Sequence, residues 1–276
     1  MNMEESQMNI VVCIKQVPEI TEVKIDPKTK TLVREGVPSI LNPFDEFAVE
    51  EALKIREKHG GEVVVVTMGP PQAKEALLKC LAMGTDRAIH LTDRAFAGAD
   101  TLASAYTIAQ AIKQFIPEFN IIFCGKQAID GDTAQVPVEL AEQLGLPQIT
   151  NVKKVEVDVG GKKLVAHRET DEGYEVIECK LPVLLTAIKE LNEPRLPTIM
   201  GIMGAKRKEI KTVTAADLDC DADHFGLDGS PTQVVEIFPP EPRKKGIIIS
   251  DEDHVEASKK IVQFLTKKGL VTPREG

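Results

Sequence analysis

The feature that most constrains this chain is an alternation of short apolar runs with helical patterns through its first 150 residues. The clearest apolar runs are residues 8–14, 62–68, 87–91 and 119–124. Near-continuous apolar strands separated by amphipathic helices are typical of a parallel sheet with helices covering both faces. The sequence therefore predicts an α/β fold with a doubly wound, mostly parallel, Rossmann-like sheet.

Helix boundaries are marked by residues that favour the start or the end of a helix. Asn42 followed by Pro43 predicts a helix start, with Asn as the N-cap and Pro at the first helical position, and Gly60 and Gly61 predict the end of that helix. Further helices are predicted over residues 70–83, 100–115 and 133–144, and Gly145 closes the last of them.

The pattern changes after about residue 149. Residues 151–159, 163–169 and 174–179 alternate polar and apolar side chains, which predicts hairpins with one solvated face, and residues 182–188 return to a buried strand. We therefore expect one domain over residues 1–204.

The remaining residues, 205–276, have the composition of an arm that ends in one amphipathic helix. A basic segment at 206–208, an acidic segment at 217–223 and a Pro-rich stretch at 239–242 precede a helix predicted over about 251–268. One helix cannot bury its own apolar face, so we expect the arm to pack on another chain. A partly disordered tail is the alternative.

Composition excludes several classes of function. A net charge of −9 provides no positive field for nucleic acid, and no apolar run approaches the roughly 20 residues of a direct membrane span. The five cysteines form no CxxC pair, and no histidine lies at metal-ligand spacing from them, so no metal site is expected. Scattered unpaired cysteines and an amino terminus without basic residues favour a cytoplasmic protein.

Four loops follow predicted strands or lead into the first helix, at residues 13–16, 42–45, 68–71 and 125–135. Ligands of open α/β sheets bind beyond the carboxyl ends of the strands. The fourth loop contains the parts of a nucleotide site, because Gly125 and Gly131 allow the backbone to approach a ligand closely. The alternative is a set of ordinary helix-capping turns.

The end of the fourth loop is expected to form the start of a helix. Thr133 or Asp132 is the predicted cap, which leaves the backbone N–H groups of Ala134 and Gln135 for a phosphate. Carboxylates repel phosphate, so Asp132 and Asp130 favour ribose hydroxyls or amide donors instead. No GxGxxG or P-loop motif occurs, and no GxSxG, HExxH or Cys–His signature indicates a catalytic residue.

Two segments make the chain similar to a known family. Residues 166–177 read AHRETDEGYEVI and residues 181–186 read LPVLLT. With these segments the chain resembles the β subunit of electron-transfer flavoproteins along essentially its full length from Met8. Further matches are NPF at 42–44, AVEEA at 48–52, AMG at 82–84, GKQAID at 125–130 and LNEPR at 191–195.

The resemblance implies a heterodimer with an electron-transfer flavoprotein α subunit, which carries the electron-transferring FAD. In the family the β subunit supplies one α/β domain of the adenine-nucleotide-binding type, which holds a nucleotide in the four loops, and an arm that wraps its partner. The nucleotide contacts that this implies are Cys13, Asn42, Pro43, Phe44, Asp45, Met68, Gly125, Lys126, Gln127, Ala128, Ile129, Asp130, Gly131, Asp132, Thr133, Ala134, Gln135 and Val136.

The resemblance also implies a recognition loop, at about residues 192–204, that docks on a partner dehydrogenase. The apolar residues that would anchor this docking are Leu196, Ile199, Met200, Ile202 and Met203. Their alternative place is the core of the domain. Flexible Met side chains suit an adaptable contact surface.

The nucleotide loop departs from the type of β subunit that holds structural AMP. In that type the loop resembles Asp-Asp-Asp-x-Asn-Gln-Thr, whereas here Gly131, Ala134 and Val136 replace polar positions, and Met68 stands where Cys is frequent. These features look like the electron-bifurcating branch, whose β subunit holds a second FAD.

The bifurcating branch implies NAD(H) as the electron donor, a dehydrogenase or quinone oxidoreductase as the high-potential acceptor, and ferredoxin or flavodoxin as the low-potential one. An AMP-holding subunit that docks acyl-CoA-type dehydrogenases is the first alternative. A nucleotide-sensing module without a redox role is the second.

Overall fold

The computed structural model describes residues 7–19, 38–236, 238, 246–250 and 252–272. These residues fall into two units, divided between residues 236 and 238. The predicted Pro-rich stretch at 239–242 and the first six residues of the chain lie outside the described residues.

Most of the strands belong to one large sheet. Within the described part of the chain its order is β11-β5-β4-β1-β6-β10-β7-β8-β9, and β2 and β3 form a separate antiparallel pair. The strands are β1 (Ile10–Cys13), β2 (Gln16–Pro18), β3 (Ser39–Leu41), β4 (Val63–Met68), β5 (Arg87–Leu91), β6 (Ile121–Gly125), β7 (Gln148–Asp158), β8 (Lys163–Thr170), β9 (Gly173–Lys180), β10 (Val183–Ala187) and β11 (Ile210–Val213). All pairings from β11 to β7 are parallel, and β8 and β9 add an antiparallel extension. The predicted doubly wound, mostly parallel α/β fold is confirmed.

Helices cover both faces of the sheet. The helices of the first unit are α1 (Pro43–His59), α2 (Lys74–Met83), α3 (Thr101–Phe115), α4 (Val136–Leu144) and α5 (Ile199–Ala205), and the second unit contains α6 (His254–Lys267). Side chains of β1 alternate between the faces, so Ile10 and Val12 join the core with α1 and α2, whereas Val11 joins the core with α3 and α4. Burial of both faces explains why these strands are continuous apolar runs.

Helix α4 begins later than the sequence indicates. The predicted start was residue 133 with Thr133 or Asp132 as the cap, but the helix begins at Val136 without a side-chain cap. Asp132 and Ala134 have positive φ angles of 57° and 55°, a left-handed conformation that cannot continue a right-handed helix. The capping prediction was therefore wrong, and these residues belong to the preceding loop.

Three elements were missed because each is too short to carry a periodic signal. They are the β2–β3 pair, helix α5 inside the segment predicted as a loop, and β11 inside the segment predicted as an arm. Strand β11 pairs in parallel with β5, so the first part of the predicted arm, up to residue 236, lies with the first unit. Helix α6 was predicted, and none of its residues is buried. That the arm packs on another chain stays a prediction.

Candidate functional site

The strand order reverses between β1 and β6. The chain builds β4 and β5 on one side of β1 and then crosses to β6 on the other side, so Cys13 and Cys124 pair in register at two adjacent carboxyl ends. Ligands of doubly wound folds bind at such a topological switch point. We call the space beyond these two ends, with the loops at residues 13–16, 42–45 and 125–136, the switch-point crevice.

A buried amide at the start of α1 ties the loops of the crevice together. Asn42 has the predicted N-cap position, and Pro43 follows it, but the Asn42 side chain does not cap the helix. Its Nδ2 donates to the carbonyl oxygen of Gln127 at 2.9 Å and to Oδ1 of Asp45 at 2.8 Å, and its Oδ1 accepts from the backbone N–H of Ile129 at 3.2 Å. One side chain therefore fixes the loop after β6 against α1.

Asp45 adds a buried carboxyl group that joins three elements. Its Oδ2 accepts from the backbone N–H of Lys15 at 2.7 Å, and its Oδ1 accepts from that of Gly125 at 3.2 Å. Burial raises the pKa of Asp45 to about 7, and the hydrogen bonds from Asn42, Lys15 and Gly125 oppose that rise. A side chain at Gly125 would lie 2.3 Å from Oδ1 of Asp45, which explains the glycine.

Two buried thiols lie at the strand ends behind the crevice. Cys13 and Cys124 are both free, and their Cα atoms are register partners. The hydrogen bond between the Cys124 and Cys13 thiols, together with burial, raises the pKa of the Cys124 thiol well above its usual range. Cys124 is therefore a neutral group, as expected for a small buried side chain.

The loop after β6 is held in an unusual conformation. Nε2 of Gln127 donates to Oδ1 of Asp132, and the backbone N–H of Asp132 donates to the carbonyl oxygen of Ala128 at 2.9 Å. The positive φ of Ala134 costs roughly 1–2 kcal/mol because its Cβ approaches the backbone. Such strain persists only where the surroundings impose it, and it is common at ligand sites.

The same loop offers hydrogen-bond donors to a ligand. Among the described residues, no acceptor pairs with the backbone N–H groups of Thr133, Ala134 or Gln135. Gly131 leaves open the outer edge of this loop, residues 131–136, which we call the lip. A Cβ at position 131 would meet nothing within 4 Å. Backbone donors together with an open lip suit the phosphate and ribose of a nucleotide, so the residues present fit the predicted group.

Lys15 is a charged residue of the crevice that belongs to the predicted loop at residues 13–16 but was not among the predicted nucleotide contacts. Nζ of Lys15 lies 2.7 Å from Oδ1 of Asp130, so this ion pair connects the loop after β1 with the loop after β6. The sequence does place Lys15 directly after a predicted buried strand, which is where ligands of such folds bind. A lysine at the end of a strand does not by itself indicate what it faces.

In the described part of the chain, four other residues that were predicted to contact the nucleotide, Lys126, Met68, Thr133 and Val136, form no hydrogen bond with the Asn42–Asp45 cluster. The backbone N–H of Lys126 donates to the carbonyl oxygen of Ala187, at the end of β10. Met68 ends β4, on the far side of β1 from β6, and pairs there with Leu91. Within the described residues no hydrogen bond joins Met68, Thr133 or Val136 to the Asn42–Asp45 cluster. Their role in binding a nucleotide stays a prediction.

The apolar residues predicted to dock a partner lie on the surface. Their exposed fractions are 87% for Leu196, 78% for Ile199, 77% for Met200, 52% for Ile202 and 60% for Met203. These values exclude the alternative that the five side chains belong to the core. We call residues 192–205 the docking segment.

Hydrogen bonds fix the start of the docking segment to α1. The guanidinium of Arg195 binds both carboxylate oxygens of Glu50, at 2.8 and 3.0 Å, and also binds Glu57. Nδ2 of Asn192 donates to Oε2 of Glu51 at 3.0 Å. The exposed apolar residues therefore stand on a rigid base.

The family follows from comparison with known proteins. The model of the electron transfer flavoprotein domain matches residues 29–218. The chain is also 55% identical, over 265 residues, to the electron transfer flavoprotein subunit beta of Thermoanaerobacterium thermosaccharolyticum, which covers 96% of this chain and 100% of that relative. The chain belongs to the electron transfer flavoprotein family, as a β subunit.

Two further relatives of this β subunit carry more specific names. It is 47% identical over 265 residues to subunit CarD of the caffeyl-CoA reductase–Etf complex of Acetobacterium woodii, which covers 96% of this chain and 100% of CarD. It is 42% identical over 266 residues to protein FixA of Azorhizobium caulinodans, with 95% of both chains covered. The resemblance on which the sequence analysis relied is therefore confirmed along nearly the whole chain.

The described ranges of this β subunit contain neither a membrane-spanning helix nor a cluster of metal ligands. No helix there is both long and apolar enough to cross a membrane. No group of three or more His, Cys, Asp or Glu residues there could hold a metal ion.

Proposed function

We propose that this β subunit pairs with an electron transfer flavoprotein α subunit, binds FAD in the switch-point crevice, and takes part in an NADH-oxidising, electron-bifurcating complex. The observation that carries the proposal is the open lip of the loop after β6, which is less polar at three positions than in the AMP-holding type. Gly131 contributes no side chain there, and Ala134 and Val136 contribute small apolar ones where the AMP-holding type has Asn and Thr. A wider and drier lip favours a ligand larger than AMP.

A relative supports the same assignment. CarD, which is 47% identical to this chain over its full length, is a subunit of a reductase–Etf complex. By analogy this β subunit works in a complex with an acceptor dehydrogenase or quinone oxidoreductase, and with ferredoxin or flavodoxin as the low-potential acceptor.

The residues of the chain have defined tasks in this proposal. FAD, when bound, supplies both two-electron and one-electron redox chemistry. Asn42 and Asp45 hold the loops after β1 and β6 in place, and the backbone N–H groups of Thr133, Ala134 and Gln135 bind the nucleotide. The docking segment presents its apolar side chains to the acceptor protein.

The test is a count of nucleotides. The chain is co-expressed with its α subunit, the purified heterodimer is denatured, and the released FAD and AMP are quantified. The proposal expects two FAD and no AMP per heterodimer, and reduction of both flavins on titration with NADH. One FAD with one AMP would contradict it and would indicate the AMP-holding type. A soluble monomer that binds no flavin would indicate a nucleotide-sensing module.

A triple variant tests whether the loop selects the nucleotide. Gly131→Asp, Ala134→Asn and Val136→Thr together restore the polar residues, and Asn tolerates the left-handed backbone at position 134. We expect the variant to bind less than one FAD in the β subunit and to gain AMP. The matched control is Val138→Thr, a similar change two residues further along α4, which should leave the nucleotide content unchanged. Full FAD occupancy in the triple variant would contradict the role of the loop.

A further inference from the structure

Lys15 presents a cation to the switch-point crevice. Its Nζ lies 2.7 and 2.9 Å from the two carboxylate oxygens of Asp130, which belongs to the loop after β6. The side chain of Lys15 is 49% exposed, whereas that of Asp130 is 14% exposed. The ammonium group therefore lies on the solvent side of the pair, where a ligand in the crevice can reach it.

The backbone of Lys15 is fixed although its side chain is accessible. Its N–H donates to Oδ2 of Asp45 at 2.7 Å, and its carbonyl oxygen accepts from the backbone N–H of Asn42 at 2.9 Å. Both partners are buried. A fixed backbone with an accessible ammonium group allows the cation to contact a ligand without any rearrangement of the loop.

Lys15 lies where other doubly wound folds bind a phosphate with a glycine-rich turn. In doubly wound nucleotide-binding folds a glycine-rich turn after the first strand binds the phosphate with backbone N–H groups. Here the residues after β1 are Ile14, Lys15 and Gln16, without a glycine, and the chain continues into β2 instead of a helix. No glycine-rich turn is therefore present at this place.

The other charges around the crevice are mostly negative. Asp45, Asp130 and Asp132 all belong to its loops, and Lys126 is the other lysine of these loops. Carboxylates repel a phosphate, and the ammonium of Lys15 opposes that repulsion. An ammonium group has three N–H donors, so Lys15 can bind a phosphate and keep its ion pair with Asp130.

We propose that Lys15 binds a phosphate group of the nucleotide in the switch-point crevice. The ligand class is a ribonucleoside 5′-phosphate or the ADP moiety of a dinucleotide. This inference rests on the proposed function only in that the crevice must bind a nucleotide. It adds a residue outside the set that the family resemblance implies.

The test compares nucleotides that differ in their phosphates. The heterodimer is freed of nucleotide by dialysis against potassium bromide and then titrated calorimetrically with adenosine, AMP and ADP. We expect Lys15→Met to weaken the binding of AMP and ADP about tenfold or more, since charge-assisted contacts are strong, and to leave the binding of adenosine unchanged. Lys15→Arg should recover most of the affinity because it keeps the charge.

Lys54→Met is the matched control. Lys54 pairs with Glu51 at 3.7 Å on α1, and the exposed fractions of 51% and 9% resemble those of the Lys15–Asp130 pair. This variant should bind all three ligands as the wild type does.

Two results would overturn the inference while the proposed function stands. They are an equal loss of affinity for adenosine and AMP in Lys15→Met, which would indicate a structural role, and wild-type affinity for AMP in that variant. A wild-type complex that binds none of the three compounds would also overturn the inference, whereas the proposed function is tested separately by the count of released FAD and AMP.

Discussion

Asp45 shows how one side chain can organise a site. It is 5% exposed, and it receives hydrogen bonds from Asn42, from the residue after β1 and from the end of β6. A buried carboxyl group is costly unless it is hydrogen-bonded, and these three donors reduce that cost. The site is therefore built on an acid whose protonation changes near neutral pH.

Asp45 predicts a pH dependence of stability. Its pKa is about 7 in the folded chain and roughly 3.9 in an unfolded one, so the folded state holds the extra proton between these values. Stability should therefore fall as the pH rises through this window. Between pH 5 and pH 8 the unfolding free energy of the wild-type complex should fall by about 2–3 kcal/mol more than that of Asp45→Asn.

Urea unfolding of both complexes at the two pH values, at equal protein concentration, measures this difference. Asp45→Asn need not be as stable as the wild type, because only the two pH slopes are compared. Parallel slopes would show that Asp45 keeps an ordinary pKa.

Helix α5 illustrates a short element that depends on its neighbour. It has seven residues, too few to be stable alone, and it packs closely against the end of α2. A Cβ at Gly201 would lie 2.2 Å from the carbonyl oxygen of Ala82, so only glycine permits this approach. The exposed Ile199 and Met200 are held outward as a result.

Gly201→Ala should therefore displace α5 and slow electron transfer to the acceptor dehydrogenase by about tenfold or more, because a small misplacement of a docking surface is costly. Reduction of ferricyanide, which needs no docking segment, should keep its wild-type rate, and the nucleotide content should not change. Gly204→Ala is the control on the same helix, since a Cβ there meets nothing within 4 Å. Equal rates for the two variants would argue against the docking role.

The chain as a whole does not bury all its apolar surface. Helix α6 belongs to the second unit, and Val255, Ile261 and Val262 are 59%, 44% and 53% exposed. Clusters of exposed apolar residues on a helix face indicate a partner. In the proposed heterodimer the α subunit covers this face.

Val262→Lys should accordingly weaken the heterodimer, because it places a charge in an apolar interface. Gln263→Lys adds the same charge at the next position, on the polar side of α6, and should leave the complex intact. Light scattering of the co-expressed complexes after gel filtration measures the dissociated fraction over a dilution series. Equal dissociation of both variants would contradict an interface on this face.

Residue order alone was enough to predict the main elements of the fold. Strands β1, β4, β5 and β6 and helices α1 to α3 follow from apolar periodicity and from residues such as Pro43 and Gly60, because these effects act within a few positions of the chain. The family also follows from local motifs. The apolar pattern predicts that Cys13 and Gly125 lie at the carboxyl ends of strands. Because the connections between parallel strands are right-handed, both ends are expected at the same edge of the sheet.

Packing between distant segments decided the rest. The left-handed Ala134 delayed the start of α4, β5 provided the edge on which β11 forms, and α2 supports α5. The ion pair between Lys15 and Asp130 spans 115 positions of the chain. Such contacts depend on which surfaces meet after folding, and no local pattern encodes a partner that is distant in sequence.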